Sequence, residues 1–385
     1  MIASEIGFEE LVSYLSRAGW QRAASGRLAE LWQSSLDASV SVMVPKESAA
    51  PDFDRSLMML TKEIARRENR SPEDIARDIS RQFVDVTDLR AEDDDITDGT
   101  IALNAGVQLF ESANRLIVSA AAATINRQGS YGRGMPPAAR AHARRMRLGQ
   151  TRPGSYIVPI ISRARFGDLV DRQSQEPQLR LESDDSYHDR RIITTLSRAL
   201  ETLAEMAVNR ERSPSRDEMR SSVDEGVSSE LCGAVLNVLF KGGVSQFDVQ
   251  FNWAPAAPTP DNATNSIVFT DDSIRILGEV EAELREANLP SERVLYGVIR
   301  RLSLKANETS GKVAMETIID GRKRTVTFDL DLETYRLAAR YHGERRPVVV
   351  RGILDAPPGR NATMKVSAFD ADRSVVSFEE MHTSD

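Results

Sequence analysis

The chain of 385 residues has one cysteine, Cys232, four histidines and seven lysines, and only 6% of its residues are aromatic. A single cysteine excludes any intramolecular disulfide and any cage of thiolate metal ligands. Its surroundings, "SSELCGAVLNVLF", have helical apolar spacing and predict a buried structural thiol. The histidines, at 142, 188, 342 and 382, lie far apart, and none has the i, i+4 spacing of a helical metal pair. There is no G-x-x-x-x-G-K-[ST] loop for a nucleoside triphosphate and no G-x-S-x-G elbow for a serine nucleophile. No cofactor is expected. The N-terminus "MIASEIGFEELVSYL" has neither a basic lead nor an apolar core and so does not look like a signal peptide. The most apolar run, "LIVSAAAATI" from Leu116 to Ile125, is far short of the ~20 residues a bilayer requires. These absences predict a cytoplasmic chain without a membrane partner.

What the sequence has is arginine, unevenly placed. Formal net charge is −8, yet from Ser112 to Gly167 there is no Asp or Glu, while arginines stand at 115, 127, 133, 140, 144, 145, 147, 152, 163 and 165. Seven lysines among 50 basic residues leave 43 arginines. A GC-rich coding bias accounts for part of that skew. The guanidinium's bidentate grip on phosphate gives its clustering a function. In "PPAARAHARRMRL" the periodicity predicts a helix after Pro137 with Arg140, Arg144 and Arg147 on one face. The following "GQTRPGS" offers Gln150, Thr151, Arg152 and Ser155 to a sugar-phosphate backbone, and Arg133 precedes the helix. The same patch would also suit an acidic surface, either on a partner protein or on the chain's own stretch 85–98, "DVTDLRAEDDDITD", whose seven acids predict a solvated loop.

Periodicity divides the remainder. Residues 1–85 predict a helix, two strands and two helices, with Ser71 as N-cap and Pro72 opening the last helix. That outline resembles small double-stranded-RNA-binding and related α-β-β-α modules, and no function is carried over from it. Residues 86–168 hold the acidic loop, a short strand "GTIAL", a long alanine-rich helix and the arginine-rich region. A polar linker leads to a mixed α/β segment at 190–290, which includes the amphipathic helix "IITTLSRALETLAEMAVNR" and the strand "QFDVQFNW". Residues 291–385 predict five strands, with the short helix "LETYRLAARYHG" after the third. Five strands so arranged resemble the OB-fold plan, a small Greek-key barrel. OB-type barrels bind single strands with basic side chains and exposed aromatics, and here Arg322, Lys323 and Arg324 follow the "DG" turn. The expected class is thus a multidomain α+β protein with an N-terminal α-β-β-α module, a mixed central region and a C-terminal OB-like barrel.

The function this predicts is a non-catalytic subunit that binds DNA or RNA, or an acidic protein, in a hetero-oligomeric complex. The composition suits a bacterial nucleic-acid-handling or antiphage assembly. Two alternatives come from other classes. One is a metal-dependent nuclease with dispersed carboxylates, although "PDFD" at 51–54 lacks a downstream acid-x-Lys strand. The other is a protein-protein adaptor without nucleic-acid affinity.

Overall fold

The computed structural model describes residues 6–35, 37, 39–47, 52–93, 100–150, 156–163, 185–208, 210, 212–257, 259–260, 264–287, 292–305, 309–319, 322–356 and 362–372. The fold is α+β, and its chain divides into two compact units.

The first unit comprises residues 1–85 and 253–259. Its helices are α1 (Phe8–Arg17), α2 (Phe53–Glu68) and α3 (Pro72–Ser80), and its antiparallel sheet runs β1 (Trp20–Ser25), β2 (Ala29–Ser34), β3 (Ser41–Pro45). Ser71 caps α3 as its sequence predicts, its Oγ accepting from Asp74 N at 3.1 Å. Asn69 ends α2 in the left-handed region (φ 52°), a conformation asparagine tolerates better than most residues. The sequence-based expectation of two strands missed β1: only Trp20 points into the core and the next five residues are exposed, which leaves no alternation to detect.

A buried carboxylate gives this unit a measurable pH signature. Glu30, 4% exposed, accepts from Ser25 Oγ at 3.1 Å and from Trp32 Nε1 at 3.2 Å, with Lys46 Nζ at 3.4 Å and Arg22 Nη1 at 3.5 Å. Burial opposes the charged form, but these donors and cations outweigh it and hold the carboxyl below its ordinary range. A depressed folded pKa stabilises the fold above the unfolded value of about 4.3, and that stabilisation is lost as pH falls through the folded pKa. Glu30→Gln is therefore expected to cost roughly 1–3 kcal/mol at pH 7 and to flatten the acid limb of stability. Urea unfolding followed by tryptophan fluorescence from pH 7 to pH 3 measures it, and an unchanged acid limb contradicts the assignment.

The second unit, residues 86–252 and 260–385, contains a five-stranded sheet, a helical layer and a closed barrel. Sheet order is β6 (Arg147–Leu148), β7 (Tyr156–Arg163), β4 (Val84–Glu92), β8 (Gln246–Asn252), β9 (Ser266–Thr270). Strand β4 corrects the first part of the expected acidic loop 85–98, whose residues 94–98 lie outside the described residues, and the described acids Asp88, Glu92 and Asp93 are engaged by β8 and the residue before it. Asp88 accepts from Asn252 Nδ2 (3.0 Å), Glu92 from Gln246 Nε2 (2.9 Å) and Asp93 from the Ser245 amide (3.0 Å). The helical layer comprises α4 (Leu103–Ile125), α5 (Pro137–Ala143), α6 (Asp185–Ala207), α7 (Arg216–Ser221), α8 (Ser229–Leu236) and α9 (Ile274–Glu286). Buried alanines at 113 and 120–123 let α4 pack against α5, α6 and α8. "GTIAL" is no strand: residues 100–102 are irregular and Leu103 already begins α4.

The barrel uses β10 (Glu292–Ser303), β11 (Ser310–Ile319), β12 (Arg322–Asp331), β13 (Val348–Asp355) and β14 (Ala362–Ala371), with α10 (Leu332–Gly343) after the third strand. Its order, β10-β11-β12-β14-β13, closes back onto β10, and β12 and β14 run parallel while the other neighbours are antiparallel. That is the OB plan in connectivity as well as strand number. The two-residue strand β5 (Asn126–Arg127) joins the outer edge of β10, with Arg127 opposite Glu292.

Candidate functional site

Helix α5 is shorter than its periodicity suggests. Ala143 is its last helical residue, the chain turns at 144–146, and Arg147 pairs with Ile161 in the sheet. Arg140, Arg144 and Arg147 therefore do not share one helical face: the first two stand at the end of α5 and the third on an edge strand. Sheet pairing wins at 147–148 because β7, whose strand character "SYIVPIISRARF" shows, pairs back with these two residues, a pairing that sequence periodicity does not reveal.

Arg140 and Arg144 line a cavity of about 560 Å³ with Arg115 and Ser119 of α4, Ser130 and Gly132, Glu230 and Gly233 of α8, and Glu281 and Arg285 of α9. The two carboxylates in this wall are already engaged. Glu230 Oε1 accepts from the Tyr131 amide (2.9 Å), the Gly132 amide (2.8 Å) and Ser130 Oγ (3.1 Å), which folds residues 130–132 around it. Glu281 is held by Arg285, one helical turn away. Arg115 lies 3.8 Å from Glu111. Arg140 and Arg144 are exposed, and no carboxylate among the described residues lies within ion-pair distance of either.

Elsewhere, arginines commonly have a carboxylate. Arg66 and Arg67 meet Glu63, Arg70 meets Glu68 and Asp78, Arg216 and Arg220 meet Glu283, and Arg275 meets Glu279. Among the described residues, Arg140 and Arg144 thus keep the positive charge of the acid-free stretch without an ion-pair partner. Asp85, Asp88, Glu92 and Asp93 instead have partners on the segment 245–254.

The remaining sequence-derived positions are scattered. Arg145 and Arg147 are exposed, Arg145 donating to His142 Nδ1, and Gln150 is exposed beyond β6. Arg133 sits in a tight turn, Gly132–Gly134, with its side chain outside the described set, and Thr151, Arg152 and Ser155 lie outside the described residues altogether. On the barrel, Arg322 is exposed, Lys323 Nζ is 2.8 Å from Glu316, and Arg324 donates to the Ala356 carbonyl at 3.1 Å. Phe328 and Tyr341 are buried in the barrel core, and Phe369 packs against it. The outward residues of β11 and β12 (Lys312, Ala314, Glu316 and Ile318 facing Asp329, Thr327, Thr325 and Lys323) include no aromatic ring for base stacking. Sequence reasoning counted Arg115 only among the arginines of the acid-free stretch and did not single out Arg285. Arg285 lies in an acidic helix where local composition gives no signal.

Cys232 is fully buried, and burial, with Glu281 nearby, pushes its thiol pKa far up. The folded protein is expected to leave an aromatic disulfide reagent unreacted for hours and to react with one equivalent once unfolded in guanidinium. Rapid reaction of the native chain contradicts this burial.

Among the described residues, no group of three or more His, Cys, Asp or Glu side chains is arranged to hold a metal ion, so the dispersed-nuclease alternative gains no geometric support there. No described helix is long and apolar enough to cross a membrane. No protein-family model, curated protein or solved structure matches the chain.

Proposed function

We propose that the chain binds nucleic acid through the phosphate backbone, without chemistry of its own, and that Arg140 and Arg144 are its principal contacts. The observation that carries this reading is the pair of exposed guanidiniums, free of carboxylates, at the mouth of a cavity whose own acids are occupied. Guanidinium forks fit phosphate oxygens in pairs, and contacts of this kind carry affinity without reading sequence. Arg145, Arg147 and Gln150, all exposed, would add to the contact, Arg133, Thr151, Arg152 and Ser155 remain candidates by sequence alone, and Arg322 offers a further exposed charge on the barrel beside Lys323 and Arg324.

Fluorescence anisotropy with labelled single- and double-stranded DNA and RNA tests the proposal. The native chain should bind at low salt, Arg140→Ala/Arg144→Ala should bind much more weakly, and Arg66→Ala/Arg67→Ala, whose arginines are already paired with Glu63, should match the native chain. Absence of binding at low salt by the native chain overturns it.

A second reading rests on a different surface. Leu103, Val107 and Phe110 lie at i, i+4 and i+7 of α4 and are 85%, 45% and 39% exposed. Such a stripe favours docking of another protein. This adaptor reading predicts a stable protein complex, lost in Leu103→Asp/Val107→Asp, and no nucleic-acid affinity.

A further inference from the structure

A second cavity, of about 350 Å³, lies between α6 and the barrel and is lined by Arg127, Arg191, Arg198, Arg351 and Tyr296 among others. Four guanidiniums around one small space need an account of their counter-charges. Arg191 donates to Asp372 Oδ2 at 2.5 and 3.2 Å and lies 3.9 Å above the Tyr296 ring, so it is neutralised and fixed. Arg351 donates to the Asp224 carbonyl at 2.5 Å, with Glu292 Oε2 at 3.2 Å and Asp224 Oδ1 at 3.7 Å. The cavity's remaining acids are Asp370, which accepts from Tyr341 OH at 3.0 Å, and Glu225, which is exposed.

Arg198 has no carboxylate within ion-pair distance among the described residues, and Arg127 has none either. For Arg127 the consequence is sharper. Its Nε and Nη1 are covered from solvent and have no hydrogen-bond partner, although the residue as a whole keeps part of its surface open. Nη1 is set against Gly226, where an added Cβ would lie 2.3 Å away, and Gly226 has φ +102°, a backbone that favours glycine. Burial pushes the guanidinium pKa down and Arg351 adds to that, against an opposing pull from Tyr296, Tyr131 and Glu225. Arginine does not shed its proton in proteins, and an unpaired buried charge is costly. Two donor groups of Arg127 thus have hydrogen-bonding capacity that no described residue uses.

We propose that this cavity binds a small phosphate-bearing molecule, its phosphate group held by Arg127 and Arg198. Two unengaged guanidinium forks match the several oxygens of a phosphate, and the cavity is in the size range of small-ligand pockets. The site is separate from the α5 cleft and does not depend on the nucleic-acid reading.

The test uses the full chain dialysed into phosphate-free chloride buffer, with inorganic phosphate, glucose 6-phosphate and adenosine 5′-monophosphate as probes in calorimetry and thermal melts. At least one probe should bind saturably and raise Tm. Arg127→Met and Arg198→Met should each weaken it by roughly tenfold or more, while Arg140→Ala/Arg144→Ala leaves it intact. Without ligand, Arg127→Met should melt no lower than the native chain, because it removes an uncompensated charge; a merely structural arginine would show the opposite. Tighter binding of either ester than of inorganic phosphate identifies a phosphomonoester as occupant, and equal binding identifies free phosphate. The proposal is overturned if no probe binds the native chain, if the Met variants bind as well as it does, or if the α5 variant loses the site equally.

Discussion

Gly297→Ala unfolds the barrel at a markedly lower temperature than the native chain. Gly297 is the residue of β10 at which pairing passes from β13 to β11: it stands opposite Val348 on one side and Thr317 on the other. A strand shared by two faces of a small barrel must bend there, and the bend brings the Glu316 carbonyl so near that an added Cβ would lie 2.1 Å from its oxygen and 3.0 Å from Met315 Cγ. Backbone in a core ladder cannot swing aside as a side-chain tip can. The expected cost is roughly 3 kcal/mol or more, or a fall in Tm of roughly 6–12 °C for a unit of this size. Gly278→Ala is the matched control. It lies on α9 with no neighbouring atom within 4 Å of the added carbon, and it should gain roughly 0.5–1 kcal/mol from helix propensity. Equal melting of the two variants contradicts the barrel closure described here.

The second large effect is electrostatic. Each arginine-phosphate contact releases condensed counterions, so removing Arg140 and Arg144 together should weaken nucleic-acid binding roughly 10- to 100-fold near 0.1 M salt. The loss should be similar across sequences, because phosphate contacts position a strand without reading its bases. A loss confined to one sequence would point to base contacts instead.

Local chemistry was legible in the sequence where one element determines it. Ser71 and Pro72 mark the start of α3, the alternating runs after residue 291 give five strands, and the helix between the third and fourth gives the OB plan. What was hidden depends on partners distant in the chain. Strand β4 read as an acidic loop because its Asp88 and Glu92, with Asp93 just after it, find partners more than 150 residues later, at Asn252, Gln246 and Ser245. Helix α5 read too long because the strand-like run "SYIVPIISRARF" gives no hint that it pairs back with Arg147 and Leu148. The arginine cluster was visible as composition. That Arg140 and Arg144 stand unpaired beside occupied acids follows only from the packing of α4, α8 and α9. Arg127 is the extreme case: it reads as the end of the long alanine-rich helix, followed by the flexible turn "GSYGRG", whereas the helix stops at Ile125 and nothing local announces a covered guanidinium.

The most direct test of phosphate binding at the end of α5 is the salt dependence of affinity, measured for the native chain and for Arg140→Ala/Arg144→Ala on one labelled strand. Each lost phosphate contact removes about 0.7 from the slope of log K against log salt on single strands and about 0.9 on duplex, so the variant's slope should be shallower by roughly 1.4 to 1.8. Parallel slopes would contradict the account, because they would mean that the two arginines touch no phosphate.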